Sequence, residues 1–265
     1  MSRYYLKTAG LNRLNKRESS PVLFVSPSVA LCVLTCTCAG RRPNALSRLL
    51  LPSVVEHTGK RGLSTLGIYV GLDFDDRLHN DTRWKRQVRG LLPHGTGVTY
   101  VPVHPHERRR SLPWNELLRV AYHDGYDYFV RTNDDVVVLT FGWLSKLISA
   151  LQAMDNLGVV GPSFAEGNTR ILAAMDVTHR THLCIFSGRY YPSAFHNYYV
   201  DDWISKVYGA NHTRKLHTVR VSHRLHYHGQ QYRAAGDQDR LVSNEVAAGR
   251  ATIASRGGEC MDYES

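Results

Sequence analysis

YDYFVRTNDDVVVL, Tyr126 to Leu139, is the stretch on which the reading of the whole chain turns. An apolar, β-type run is interrupted by Asn133, Asp134 and Asp135, then resumes as Val136, Val137 and Val138. Strands covered on both faces read as near-continuous apolar runs, and carboxylates are seldom fully buried without a partner or a metal. In open α/β sheets, ligands gather outside the carboxyl ends of the strands. The acidic step therefore has two readings, a cation site or a turn with solvated aspartates, and Asn-Asp-Asp composition suits the turn as well.

Working outward, strand-like and helix-like segments alternate, the pattern of a mostly parallel sheet flanked by helices. Val29 to Thr37 reads as a first strand, followed by the turn AGRRPN and a helix from about Ala45 to His57. Leu66 to Leu72 is a second strand ending in Asp73, Asp75 and Asp76, with a helix at Thr82 to Leu92 after it. Val98 to Val103 is the third strand. The next helix opens at Ser111 or Pro113, where a cap candidate precedes a proline in the first turn, and ends near Gly125. Tyr126 to Arg131 is then the fourth strand, and Phe141 to Met154 a helix. Gly158 to Pro162, Ile171 to Val177, Thr181 to Ser187 and Val219 to Tyr227 read as strands, with a helix at Trp203 to Tyr208 and a polar, poorly packed tail beyond Gly229. The expected division is a basic leader at 1–28, a nucleotide-binding half at 29–135, an acceptor-binding half of the same domain at 136–228, and a flexible tail at 229–265.

The 265 residues suffice for one large domain, and 43% hydrophobic with 21% charged residues is ordinary globular composition, which excludes a disordered or fibrous chain. A net charge of +10 points to an anionic partner: nucleic acid, a membrane surface or a phosphorylated small molecule. The basic residues are scattered in short clusters such as Arg83 to Arg89 and Arg108 to Arg110, with no long basic tail. Five cysteines (32, 36, 38, 184 and 260) are odd in number and lack a CxxC pair, so neither a zinc site nor a disulfide framework is indicated. The run Pro21 to Ala39 approaches the roughly 20 apolar residues of a spanning helix. Its prolines, serines and β-branched residues favour a buried strand over a membrane segment or a signal peptide.

Several constellations carry chemistry. Acidic points fall after successive strands, at Asp73, Asp75 and Asp76, at Asp134 and Asp135, and at Asp201 and Asp202. Magnesium or manganese is commonly held by one or two carboxylates plus the phosphates of a substrate, and Asp134 and Asp135 suit a metal completed in that way. VSHRLHYHG supplies His223, His226 and His228, each either a further ligand or an exposed strand-edge histidine. Asp201 and Asp202 open a helix, where one aspartate has a capping role. Beside Tyr198 and Tyr199, the pair also describes a general base next to a ring-binding platform. Gly40, Arg41 and Arg42 offer amides and a guanidinium to a phosphate. Asn80-Asp-Thr82 and Asn211-His-Thr213 fit the N-glycosylation pattern.

In their order, LTCTCAGRRPN, IYVGLDFDD, YDYFVRTNDD and NYYVDDWISKVYG with a downstream histidine resemble a nucleotide-sugar-dependent glycosyltransferase of the GT-A fold, over roughly Val29 to His228. The resemblance implies a GT-A-like α/β architecture, a mostly parallel Rossmann-type sheet flanked by helices with a mixed, acceptor-side C-terminal half. Asn133, Asp134 and Asp135 match the family's Asp-x-Asp-type triplet, Asn133 standing where an acid is usual. The likeness implies that Asp135 is the Mn²⁺ or Mg²⁺ ligand, that Asp134 lies close to the ribose or a metal-bound water, and that Asn133 contacts ribose. It implies nucleobase or ribose binding at Asp73, phosphate and base contacts at Thr37 and Arg41, and a late metal ligand at His223, with His226 and His228 as the alternatives. Asp201 and Asp202 match the acidic pair that opens the acceptor-side helix of inverting members, one carboxylate deprotonating the acceptor hydroxyl. The expected partners are a UDP- or GDP-sugar donor and a glycan, protein or lipid acceptor, with no nucleic acid. The family's usual address is the Golgi or another secretory compartment; a cytoplasmic chain follows if 21–39 is only a buried strand. Two other readings cover part of this evidence: a nucleotidyltransferase on a similar sheet, and a non-catalytic basic module that binds polyanions.

Overall fold

The computed structural model describes residues 27–35, 44–104, 111–166, 172–195, 199–227 and 239–262. In chain order the strands are β1 (Val29–Leu34), β2 (Leu66–Asp73), β3 (Gly97–Val103), β4 (Tyr128–Asn133), β5 (Val136–Val138), β6 (Val159–Phe164), β7 (Met175–His179) and β8 (Thr213–His223). A π-helical turn at Leu46–Leu50 runs into α1 (Leu51–His57), and the other helices are α2 (Lys60–Leu63), α3 (Thr82–Gly90), α4 (Ser111–His123), α5 (Trp143–Gln152), α6 (Arg180–Ile185), α7 (Val200–Val207) and α8 (Asp239–Asp262). The eight strands form one sheet in the order β3-β2-β1-β4-β7-β6-β8-β5.

The first four strands are mutually parallel, with β1 between β2 and β4. Every residue of β1 is buried, because alternate side chains feed different cores. Val29, Leu31 and Val33 join Leu50, Val54, Val88 and Leu147 on one face of the sheet. Ala30, Cys32 and Leu34 join Leu117, Leu183, Trp203 and Val246 on the other. Burial on both faces is the cause of the near-continuous apolar spelling, and each such side chain contributes roughly 1.5–3 kcal/mol. The same burial pushes the Cys32 thiol well up, so it behaves as a small apolar side chain.

Beyond β4 the sheet turns mixed. β7 runs antiparallel to β4 and to β6, β8 runs parallel to β6, and β5 closes the edge antiparallel to β8. The β6–β8 register shifts between Pro162 and Ser163, where proline cannot donate to the ladder. Gly158 enters β6 at φ +146°, and a Cβ there would lie 2.3 Å from the carbonyl oxygen of His212. Only glycine fits that approach.

Five expectations are corrected. Thr181 to Ser187 is not a strand: His179 accepts a hydrogen bond from the Thr181 amide and caps α6, whose apolar side chains are buried. The strand expected at Ile171 to Val177 is Met175–His179, and the late strand ends at His223, so Arg224 to Tyr227 form a turn. Residues beyond Gly229 include a packed helix rather than only a loose tail. In α8, Val242, Val246 and Cys260 are buried, and Gly249 permits the approach of Val207 and Trp203, which a Cβ would meet at 2.6 and 3.2 Å. Finally, Cys184 and Cys260 form a disulfide that ties α6 to α8 across 76 residues. Cys36 and Cys38 lie outside the described residues. Among the described residues no helix is long and apolar enough to cross a membrane.

Candidate functional site

The chain passes from β1 to β2 on one side and returns to place β4 on the other, so the carboxyl ends of β1 and β4 form a topological switch point. Leu34 pairs with Asn133 in the last step of the β1–β4 ladder. One residue further on, the Thr35 hydroxyl donates to Asp134 Oδ2 at 2.8 Å. Asp134 is thereby tied to the end of β1, and it is buried.

Asp135 has a different neighbour. Because Val136 pairs with His223, β8 carries that imidazole to the acidic turn, and His223 Nε2 lies 3.1 Å from Asp135 Oδ1. Asn133 Nδ2 is 3.4 Å from the same nitrogen. The Asp135 and His223 side chains keep 9% and 14% of their surface accessible, enough to meet a small ligand at the sheet edge.

This pair fits a divalent cation. Adjacent ligands of an octahedral ion with bonds of roughly 2.1 Å lie about 3.0 Å apart, and the oxygen–nitrogen separation here is 3.1 Å. Among the described residues no group of three or more His, Cys, Asp or Glu side chains is arranged to hold a metal. Asp135 and His223 are two residues that could hold such an ion.

Behind His223 stands Glu166, which the sequence reading missed. It accepts from the Ser222 hydroxyl and, at 3.2 Å, from the His223 amide. Partial burial raises its pKa, but these hydrogen bonds prevail and hold it below the usual carboxylate range. The available signal was the one used for Asp73 and Asp134, an acid immediately after a buried strand, here in SFAEG after β6.

The second acidic pair is divided. Arg131, two residues before Asn133 on β4 and 2% exposed, reaches two carboxylates. Its Nε donates to Asp176 Oδ2 at 2.7 Å and its Nη2 to Asp201 Oδ1 at 2.6 Å. Trp114 and Tyr191 lie 5.7 and 5.9 Å from the guanidinium, over their ring faces. Burial works against the Arg131 charge, yet Asp176 and Asp201 more than offset it and keep the group protonated. Asp202 points elsewhere, to Lys206 at 3.7 Å. Neither aspartate caps α7: its N-cap is Tyr199 at φ 76°, without a side-chain cap bond. Arg131 and Asp176 were also missed, although an arginine inside YFVRT, a buried run, was the visible sign.

No family model and no curated protein matches this sequence. Solved structures are similar in fold. A mannosyltransferase from Pyrobaculum calidifontis, in complex with GDP-Man and Mn²⁺, superposes with a TM-score of 0.58 at 13% identity, covering 89% of this chain and 76% of that one. S. aureus TarS with UDP-GlcNAc gives 0.54 at 13% identity over 84% and 66% of the two chains. GalNAc-T7 with UDP, GalNAc and Mn²⁺ gives 0.51 at 10% identity over 74% and 44%, so the chain spans less than half of that protein. The chain has the GT-A fold.

Within this GT-A frame the expected residues fall into three groups. Asn133, Asp134, Asp135 and His223 converge on one turn, and Asp73 is buried at the carboxyl end of β2, next to β1. Asp201 and Asp202 sit on α7, and Asp201 is joined to the acidic strand through Arg131. Thr37, Arg41 and His228 lie outside the described residues, while His226 is exposed in the turn after β8 rather than within the strand expected at Val219 to Tyr227.

Proposed function

We propose that the chain is a metal-dependent glycosyltransferase that moves a sugar from a nucleoside-diphosphate sugar to an acceptor hydroxyl with inversion. The observation that carries this reading is the 3.1 Å approach of Asp135 Oδ1 and His223 Nε2 at the switch point of a GT-A sheet. The ligands of the similar structures, GDP-Man with Mn²⁺, UDP with Mn²⁺ and UDP-GlcNAc, support the donor class.

In this reading Asp135 and His223 hold Mn²⁺ or Mg²⁺, which when bound neutralises charge developing on the leaving diphosphate. Thr35 fixes Asp134 for the ribose or a water, Asn133 offers its amide to the ribose, and Asp73 faces the nucleoside. Thr37 and Arg41 serve the phosphate side. A carboxylate of the Asp201–Asp202 pair takes the proton from the acceptor hydroxyl as its oxygen bonds to the anomeric carbon and the carbon–phosphate-oxygen bond breaks. The acceptor is a glycan, protein or lipid hydroxyl.

Thermal-shift measurements with UDP and GDP, each with and without Mn²⁺, test the donor site. One nucleotide should raise Tm only when Mn²⁺ is present, since a ligand at 100 times its Kd adds about 2.7 kcal/mol. Absence of a shift with either nucleotide would remove the reading.

The Cys184–Cys260 bond supports folding in an oxidising, secretory-type compartment such as the Golgi, where disulfides persist. Protein isolated from its own cells should gain two alkylatable thiols at these positions on reduction. Finding both cysteines already alkylatable before reduction would count against that address.

A further inference from the structure

We infer that Asn211 is a modification site that carries an N-linked glycan at the end of the sheet opposite the acidic turn. The inference is independent of the glycosyl-transfer reading and rests on the secretory-type compartment that the Cys184–Cys260 bond supports.

Three observations carry it. First, the acceptor amide is available. Asn44, Asn115, Asn133 and Asn156 are partly buried, and the amide group of each bonds another residue of the fold. Asn211 is exposed in the turn between α7 and β8, and its side chain has no hydrogen-bond partner among the described residues. An exposed loop is where an Asn-x-Thr acceptor belongs.

Second, Thr213 carries a hydroxyl that the fold does not use. Thr213 opens β8, and its Oγ1 is buried without a hydrogen-bond partner. Leaving a hydroxyl in that state costs about 1–3 kcal/mol, and valine, of the same shape, suits a strand at least as well. The Asn-x-Thr triplet needs that hydroxyl when the chain is modified, which gives it a use outside the folded state. In the other triplet, Asn80-Asp-Thr82, the threonine is exposed, so its hydroxyl stays solvated and gives no such sign.

Third, the position can take a bulky, hydrated substituent. β8 ends at His223 beside the acidic turn and begins at Thr213, alongside Val159 at the start of β6. The β6 ladder from Val159 to Phe164 alone separates the two ends by about 17 Å, so a glycan on Asn211 leaves the acidic turn open. The base of the turn is held: His212 Nδ1 lies 2.7 Å from the Leu157 carbonyl oxygen, and the Val159 amide donates to the His212 carbonyl at 2.9 Å.

In this modification Asn211 Nδ2 bonds to the anomeric carbon of an oligosaccharide carried on a diphosphate, and the carbon–oxygen bond to the diphosphate breaks. The amide loses one proton to the enzyme that recognises the triplet. Protein isolated from its own cells and treated with a peptide N-glycosidase in heavy-oxygen water should yield position 211 as labelled aspartate, read by peptide mass spectrometry. Asn211→Gln and Thr213→Val should each abolish that signal, and Thr213→Ser should retain it. Thr213→Val should melt no lower than the deglycosylated wild type, which separates a lost glycan from a lost fold. Asn211 recovered unmodified, or a label at 211 that survives Thr213→Val, would overturn the inference. The thiols of Cys184 and Cys260 in the same preparation locate such a failure: an intact bond places it in the glycan alone, and free thiols place it in the secretory address.

Discussion

Asp135→Ala should abolish the Mn²⁺-dependent protection of the fold by UDP or GDP and lower sugar transfer on the order of a thousandfold. The size follows from what the residue is asked to supply, since a cation at the leaving group contributes several kcal/mol and each 1.36 kcal/mol is a factor of ten. Among the described residues, Asp135 Oδ1 and His223 Nε2 stand 3.1 Å apart, a spacing that suits neighbouring ligands of one ion. No third acid or imidazole among the described residues completes a cage that could compensate. The metal-free Tm should change little, because the alanine leaves the Val136–His223 pairing and the Glu166 contacts intact. The comparison that matters is therefore the nucleotide shift with and without Mn²⁺ in wild type and variant. A variant that kept the metal-dependent shift would move the cation site away from this turn.

Arg131→Met should be the most destabilising single change considered for this chain, by about 3–5 kcal/mol, because breaking a buried ion pair from one side strands the other charge. Asp176 would be that charge: it is fully buried, accepts from Arg131 Nε and is hydrogen-bonded by the Tyr190 hydroxyl. Against a total stability of roughly 5–15 kcal/mol the loss is large, and should appear as a Tm decrease of roughly 10 °C. Its pH dependence has a definite sign. Burial pushes the Asp176 pKa up, and losing Arg131 removes the chief opposing influence. The folded variant then binds a proton that the unfolded chain has released, so its stability falls as pH rises and the deficit narrows on acidification. Melting both proteins at pH 5 and pH 8 reads this directly. A deficit that is constant with pH would mean that Asp176 is not the stranded charge. Adding Asp176→Leu should restore much of the loss, since a well-packed apolar pair replaces a buried ion pair at little cost.

The parts of the molecule that were readable from sequence are those governed by local or one-dimensional rules. Val29 to Leu34, Leu66 to Asp73 and Tyr128 to Asn133 announce themselves because burial on two faces forces apolar spelling. The acidic residues stand out against that background. What was not readable depends on pairing between distant segments. His223 meets Asp135 because β5, three residues long, pairs with a strand some 85 positions later, and no periodicity encodes that partner. His226 lies past the end of that strand, in an exposed turn. Thr181 to Ser187 has β-branched and apolar residues in plenty, but a cap from His179 and burial within the α6–α8 layer override local preference. The glycines of the C-terminal segment suggested looseness, whereas at Gly249 the missing side chain is what lets α8 lie against Trp203. Arg131 is a single basic residue whose neighbours on both sides along β4 are apolar or small and buried, and its two carboxylate partners come from β7 and α7.

One feature of β4 bears on how such a site can vary. Arg131 and Asn133 are two residues apart in the middle of an eight-stranded sheet, so the strand's rise fixes their Cα atoms at about 6.6 Å. On the proposed function, the strand is thus a gauge block between the acidic turn on the donor side and α7 on the acceptor side. On that reading, surrounding loops can lengthen, shorten or change composition to admit other sugars and other hydroxyls, yet the interval between the two halves of the proposed chemistry is cut into a rigid part and does not drift with them.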